Sequence, residues 1–210
     1  MSVVEQPKGA GIIARAQAII FRPTTEWDVI AAEPTSVPQL FLAYACILAA
    51  VPAIAALIGG QLFGYGAFGI RYHPALGASI AQAIGRYVLN LAAVFVIGLI
   101  IEFLAPNFGG EKNRTSAMKV SVYSSTPAWA AGILLIFPPL GIIVVLCSLW
   151  GLYLLYLGLP RLMKSAPEQA LGYTVMTVVA VIVVEIVVAV ILGLLMAPAS
   201  IGMATGGLHI

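Results

Sequence analysis

VSVYSSTPAWAAGILLIFPPLGIIVVLCSLWGLYLLYLGLP, residues 120–160, contains no charged side chain. A helix that crosses a bilayer needs about 20 mostly apolar residues, so this one run holds two crossings. Pro138-Pro139-Leu140-Gly141 divides it near the middle. Proline removes a backbone donor and disfavours helix in the residue before it, so the pair marks a tight turn between antiparallel helices. Lys119 and Arg161 flank the run, as expected of a helical hairpin that returns to the side it left.

Working outward, three further apolar runs complete the set. The expected spans are 37–63, 76–104, 118–137, 140–160 and 170–197. The first 36 residues differ: Ile12, Ile13, Ala16, Ile19 and Ile20 recur at helical spacing, which suggests an amphipathic helix lying at the inner leaflet. Pro23 to Trp27 reads as a turn and helix start, with Thr24 or Thr25 as cap, Glu26 in the first turn and Trp27 at the headgroup level. The fold class is therefore an all-α integral membrane protein, a bundle of five transmembrane helices with an N-terminal amphipathic interfacial helix. Residues 1–36 form a cytoplasmic tail, 37–197 the membrane domain and 198–210 a short extracytoplasmic tail.

Composition agrees. The chain is 61% hydrophobic and 9% charged, whereas soluble domains carry about 25% charge. A soluble fold could not cover so much apolar surface with polar groups. A net charge of +2 without a basic cluster excludes nucleic acid as a partner. No signal-peptide pattern occurs, so the spans themselves serve as the targeting signal. With the N-terminus inside, the cytoplasmic side receives Lys8, Arg15, Arg22, Lys112, Arg114, Lys119, Arg161 and Lys164, eight of the ten basic residues. The positive-inside rule then gives a multi-pass protein with a cytoplasmic N-terminus and its C-terminus outside.

Charges at membrane depth are costly and face protein or water. Arg86 and Glu185 lie at matched depth on the second and fifth spans, with Asn90 one turn from Arg86. They read either as a buried pair fixing helix register or as a polar site for an ion, proton or lipid headgroup. The third span carries Tyr123, Ser124, Ser125 and Thr126 ahead of Pro127, whose missing N–H leaves the Tyr123 carbonyl in need of a partner. Those hydroxyls either glue helices together or line a cavity with Arg86, Asn90 and Glu185. Glu102 is expected to meet Lys119 or Lys112 at the inner interface, and Ala56, Gly60 and Gly64 permit close helix packing, within the chain or between copies.

No enzyme signature is present: no HExxH, GxSxG or phosphate-cradling GxxxxGK, and no His or Lys at depth to activate Ser124 or Ser125. Cys46 and Cys147 sit in apolar runs, and His73 and His209 are solitary, so neither metal nor other cofactor is expected.

One string draws these pieces together. Phe108-Gly109-Gly110-Glu111-Lys112-Asn113 is followed by Ala117-Met118-Lys119-Val120 and Tyr123 to Pro127, then by Leu152 to Pro160, Leu162-Met163-Lys164 and Ala170-Leu171-Gly172-Tyr173. With Pro23 and Trp27 it resembles the bacterial branch of the Yip (Ypt/Rab-interacting protein) family over about residues 20–195. The resemblance implies five spans, a cytoplasmic N-terminus, an extracytoplasmic C-terminus and, through its bacterial branch, a bacterial cytoplasmic (inner) membrane; it brings no catalytic residues. Eukaryotic members are associated with Rab-type GTPases and vesicle traffic. It also implies that the second loop, with Gly109, Gly110, Lys112, Asn113 and Lys119, and the third span form the working surface. The expected function is a non-catalytic membrane protein that organises lipids or membrane partners, a second copy of itself included. The alternative is a small transporter, channel or lipid carrier.

Overall fold

The computed structural model describes residues 11–67 and 70–205; Lys8 and His209 lie outside them. Two short helices, α1 (Ile12–Phe21) and α2 (Pro23–Ala32), form a hairpin that turns at Arg22. Pro23 occupies the first helical position, where its fixed φ suits the helix and its missing N–H is no loss. The helix therefore starts ahead of Thr24 and Thr25, and neither threonine caps it.

Next comes α3 (Val37–Phe63), with a turn of π-helix over Phe41–Ala45 and Pro52 in its interior. Gly64, at φ 69°, ends it in a conformation that only glycine adopts without strain. A two-stranded hairpin, β1 (Tyr65–Ala67) and β2 (Ile70–Tyr72), then pairs Tyr65 with Tyr72 across an antiparallel ladder. α4 (Leu76–Leu104) runs the length of the molecule and tightens into a 3-10 turn over Ala105–Phe108. α5 (Arg114–Ser124), α6 (Thr126–Ala131) and a 3-10 segment (Gly132–Ile136) carry the chain back. After the turn Pro138–Leu140 come α7 (Gly141–Met163) and α8 (Ala170–Thr205). The last helix thus continues past residue 197.

Among the described residues, four helical stretches are long and apolar enough to cross a membrane: Val37–Phe63, Leu76–Phe108, Pro138–Met163 and Ala170–Leu194. The expected span 118–137 is not among them and does not form one continuous helix. Its chain passes from Arg114, bonded to Glu102 near the end of α4, to Leu135 and Ile136, whose carbonyls lie against Gly59 near the end of α3. Pro127 and Gly132 break that path into α5, α6 and the 3-10 segment. Proline removes a helix donor, and glycine lowers the helical preference of its own turn.

The core is concentrated at the end of the bundle that carries the loop 109–113. Trp27 is fully buried (0% exposed) and meets Tyr123 edge-on at 6.3 Å, while Tyr44 lies 4.8 Å from Tyr123. Trp27 is therefore a core residue and not a headgroup anchor. Gly158 makes room for its indole: a Cβ there would lie 2.7 Å from Cζ2. Around this centre pack Ile19, Ile30, Met118, Leu154 and Leu159, all buried.

Charged groups hold the N-terminal hairpin to the bundle. Arg15 binds Glu26 at 2.5 Å and Glu33 at 2.6 Å, which ties α1 to α2 and to the segment beyond it. Lys119, 6% exposed, donates to the carbonyls of Ile30 (2.7 Å) and Glu33 (2.5 Å). A cation at a helix C-terminus satisfies carbonyls that the helix leaves without donors and meets the negative end of its dipole. Arg161 reaches Asp28 at 3.2 Å, and Trp150 Nε1 donates to the Ile20 carbonyl at 3.1 Å. Trp150 stands 13 residues from Met163, so the hairpin tip reaches roughly 20 Å along α7 at 1.5 Å per residue. The inner face of α1 is thus part of the core, while Ile13 (74% exposed) and Phe21 (78%) point outward, as on an interfacial helix.

Candidate functional site

The hydroxyl-rich segment before Pro127 is structural. Tyr44 Oη and Thr126 Oγ1 share a hydrogen bond of 2.9 Å inside the core, and Ser125 Oγ donates to the Ser121 carbonyl at 2.9 Å. Ser121 Oγ donates to Val94 O across to α4. The Ser124 hydroxyl is buried with no hydrogen-bond partner, and its carbonyl abuts α7 at Gly151, where a Cβ would lie 2.5 Å away. Tyr123, Ser124, Ser125 and Thr126 therefore do not join Arg86, Asn90 and Glu185 in one site. Tyr44–Thr126 and Ser121–Val94 bridge helices, as buried hydroxyls do in membrane bundles, while Ser125 bonds within its own segment.

The loop motif is also architectural. Gly109, at φ 66°, reverses the chain after the 3-10 turn, and the Gly110 N–H bonds the Ala105 carbonyl at 2.9 Å. The Glu111 N–H reaches the Met163 carbonyl at 2.7 Å, and Lys164 meets its carboxylate at 2.9 Å. Asn113 caps α5 through Oδ1 on the Ser116 N–H at 2.9 Å, while Lys112 is exposed. Phe108 stacks on Tyr173 at 5.1 Å, nearly parallel. The loop clasps the start of α8 to the end of α4. Glu102 pairs with Arg114 at 2.8 Å, not with Lys119 or Lys112, because Lys119 is committed to the N-terminal hairpin.

What remains is a cavity of about 220 Å³ between α3, α4 and α8, lined by Arg86, Tyr87, Asn90 and Glu185 over a floor of Ala49, Pro52 and Ala53. It far exceeds the roughly 10–15 Å³ that admits one water. Arg86 and Glu185 share its wall, both exposed, yet they form no ion pair with each other. The expected buried pair is thus replaced by two opposite charges facing one space. Small residues on α3 leave the gap that a larger side chain would have closed. Asn90 Oδ1 accepts from Trp129 Nε1 at 2.8 Å, so its two amide donors stay available beside the Arg86 guanidinium. One wall is rich in donors and the other supplies a carboxylate.

Two further spaces share lining residues with the cavity. A small chamber of about 10 Å³, lined by Tyr65, Ser79, Gln82 and Arg86, leads toward the β-hairpin. An apolar groove of about 250 Å³ runs between α3 and α4 along Ala50, Ile54, Ile80 and Ile84, and shares Ala53 and Tyr87 with the charged cavity. Ser79, Gln82 and Tyr87 are residues that sequence reasoning misses. The signal lies in the spacing Ser79, Gln82, Arg86, Asn90, steps of three and four that place a polar stripe on one face of an otherwise apolar helix. The small-residue stripe serves the chain itself: Tyr65 packs over Gly60 and donates to the Ala56 carbonyl at 3.1 Å.

These features define a class: a multi-pass helical membrane protein with a docked N-terminal helical hairpin and an open, charged cavity between its helices. Residues 18–190 match the family model of the Yip1 domain, and the chain belongs to that family. It is 29% identical over 177 residues to the inner membrane protein YohC of Escherichia coli strain K12, covering 80% of this chain and 88% of that one. The YohC protein of Escherichia coli O6:H1 strain CFT073 matches equally. No solved structure matches the chain.

Proposed function

We propose that this Yip-family protein is a non-catalytic inner-membrane protein that organises lipid, holding a lipid headgroup in the cavity at Arg86, Asn90 and Glu185. One observation carries this reading: two exposed, oppositely charged side chains share a cavity within the membrane-spanning part without pairing. A charge at the centre of a bilayer helix costs about 3 kcal/mol on insertion scales, which favours a polar occupant of the cavity over lipid tails. Tyr44, Ser121, Ser125 and Thr126 spend their hydroxyls on bonds within the packed core, away from the cavity. The name of the YohC relative supports an inner-membrane location.

The N-terminal hairpin and the loop 109–113 belong to the cytoplasmic side in this reading, and the β-hairpin to the other. Arg15, Arg114, Lys119, Arg161 and Lys164 all gather at the first of these ends. The test is lipid retention. Full-length protein is purified in mild detergent and bound lipid of any class is counted by native mass spectrometry. At least one lipid should remain bound through washing, and the variant R86Q should lose it. A wild type that carries no retained lipid overturns the proposal.

The polar stripe from Ser79 to Asn90 favours the second reading, a lipid carrier, because it runs from one end of the bundle into the cavity. Scrambling of fluorescent lipid in proteoliposomes decides it. Rates above protein-free vesicles that fall in R86Q support a carrier, and equal rates leave the organising role alone.

A further inference from the structure

From the two opposed walls we infer the class of lipid: a zwitterionic phospholipid with a primary ammonium group, its phosphate against Arg86 and Asn90 and its ammonium against Glu185. This rests on the lipid-binding reading above and deepens it. Charge balance gives the first constraint. Arg86 and Glu185 together are neutral, and a net charge left at membrane depth is unfavourable. An anionic lipid would leave the Glu185 carboxylate facing excess negative charge. A zwitterion adds none.

Hydrogen-bond inventory narrows the class further. Guanidinium and amide groups are donors only toward a ligand that brings acceptor oxygens, which phosphate does. A carboxylate accepts only, so its partner must donate. A primary ammonium offers three N–H groups, whereas a quaternary ammonium offers none. The opening of the ion pair has the same logic. Two opposite charges on facing helices that do not close on each other leave room for a ligand carrying the reversed pair.

The apolar groove supplies the rest of the amphiphile. It shares Ala53 and Tyr87 with the charged cavity as lining residues, and Ile54, Ile80 and Ile84 give it an aliphatic surface matched to an acyl chain. A water-soluble phosphoammonium compound would fill the cavity and leave the groove empty. The amphiphile fills both.

The experiment is a native mass spectrometry titration of the full-length protein with phosphatidylethanolamine, phosphatidylglycerol and phosphatidylcholine, with free phosphoethanolamine as competitor. Arg86 and Glu185 are exposed and form no ion pair with another described residue, so their Gln variants are expected to fold, as circular dichroism would check. Wild type should retain phosphatidylethanolamine about tenfold better than either other lipid, a difference of about 1.4 kcal/mol. E185Q should lose that preference and turn toward phosphatidylglycerol. I84W, which fills the groove without touching a charge, should weaken phosphatidylethanolamine by about tenfold. Free phosphoethanolamine should not displace the bound lipid at equal concentration.

Equal uptake of the three lipids, or a preference unchanged in E185Q, overturns the inference while lipid binding itself stands. Displacement by free phosphoethanolamine overturns the amphiphile assignment. A wild type that binds no lipid removes the broader reading as well.

Discussion

Lys119 joins parts of the chain that are far apart in sequence. Its ammonium is buried and shared between two carbonyls at the end of α2, and hydrogen bonds to charged groups contribute about 1.5–3 kcal/mol each. K119M should therefore destabilise the protein by about 3 kcal/mol. It should also expose the segment around residues 12–36 to protease, which limited proteolysis with mass mapping would detect. Tyr44 and Thr126 offer a cleaner pair. Y44F and T126V should each cost about 1 kcal/mol, and the double variant should cost clearly less than their sum because both remove the same bond. Chemical denaturation in detergent would measure this. Neither pairing is legible in the sequence. A basic residue at the edge of a span reads as an interface anchor until the helix whose end it caps is known to lie beside it. The charges of Arg86 and Glu185 are legible, since each interrupts an apolar run. Their failure to pair is not, because it depends on small side chains on a third helix.

At the scale of elements, glycine sets how closely helices approach. A Cβ at Gly158 would press into the Trp27 indole, which Tyr123 hems in on another side, whereas nothing lies within 4 Å of a Cβ at Gly193. G158A should cost about 2 kcal/mol by overpacking. G193A should gain about 0.5–1 kcal/mol, as alanine does in a helix interior. Opposite shifts in thermal unfolding midpoint would establish that α2 is docked against α7. The four long helices and the amphipathic periodicity of α1 come from hydrophobic runs that leave little choice. The third crossing reads in sequence as one span, with Pro127 as a kink; its division into α5, α6 and a 3-10 segment reflects how the chain and its neighbours accommodate the broken helix. Those neighbours are α3, α4 and α7 and cannot be seen from the segment alone. The buried face of α1 is visible as a stripe, but a stripe does not say whether lipid or protein covers it.

The whole molecule is packed tightly at one end and loosely at the other. Buried side chains cluster around Trp27, Tyr44 and Tyr123, while the cavities lie toward the β-hairpin. Such a division suits a rigid base that supports a ligand space. The orientation drawn from basic residues has its own check. In a chain with Cys46 and Cys147 replaced, E111C should resist a membrane-impermeant thiol reagent in intact cells, and H73C should react. The cavity has the more decisive one. Val188 lines it, and Val187 on the same helix is exposed on the outside of the bundle at nearly the same depth. Spin labels placed singly at V188C and V187C, in bilayers hydrated with heavy water, report nearby deuterium by pulsed electron paramagnetic resonance. A strong deuterium signal at 188 and a weak one at 187 is the expected result, because only the first faces a polar space. Equally dry labels would contradict a filled, charged cavity within the bilayer.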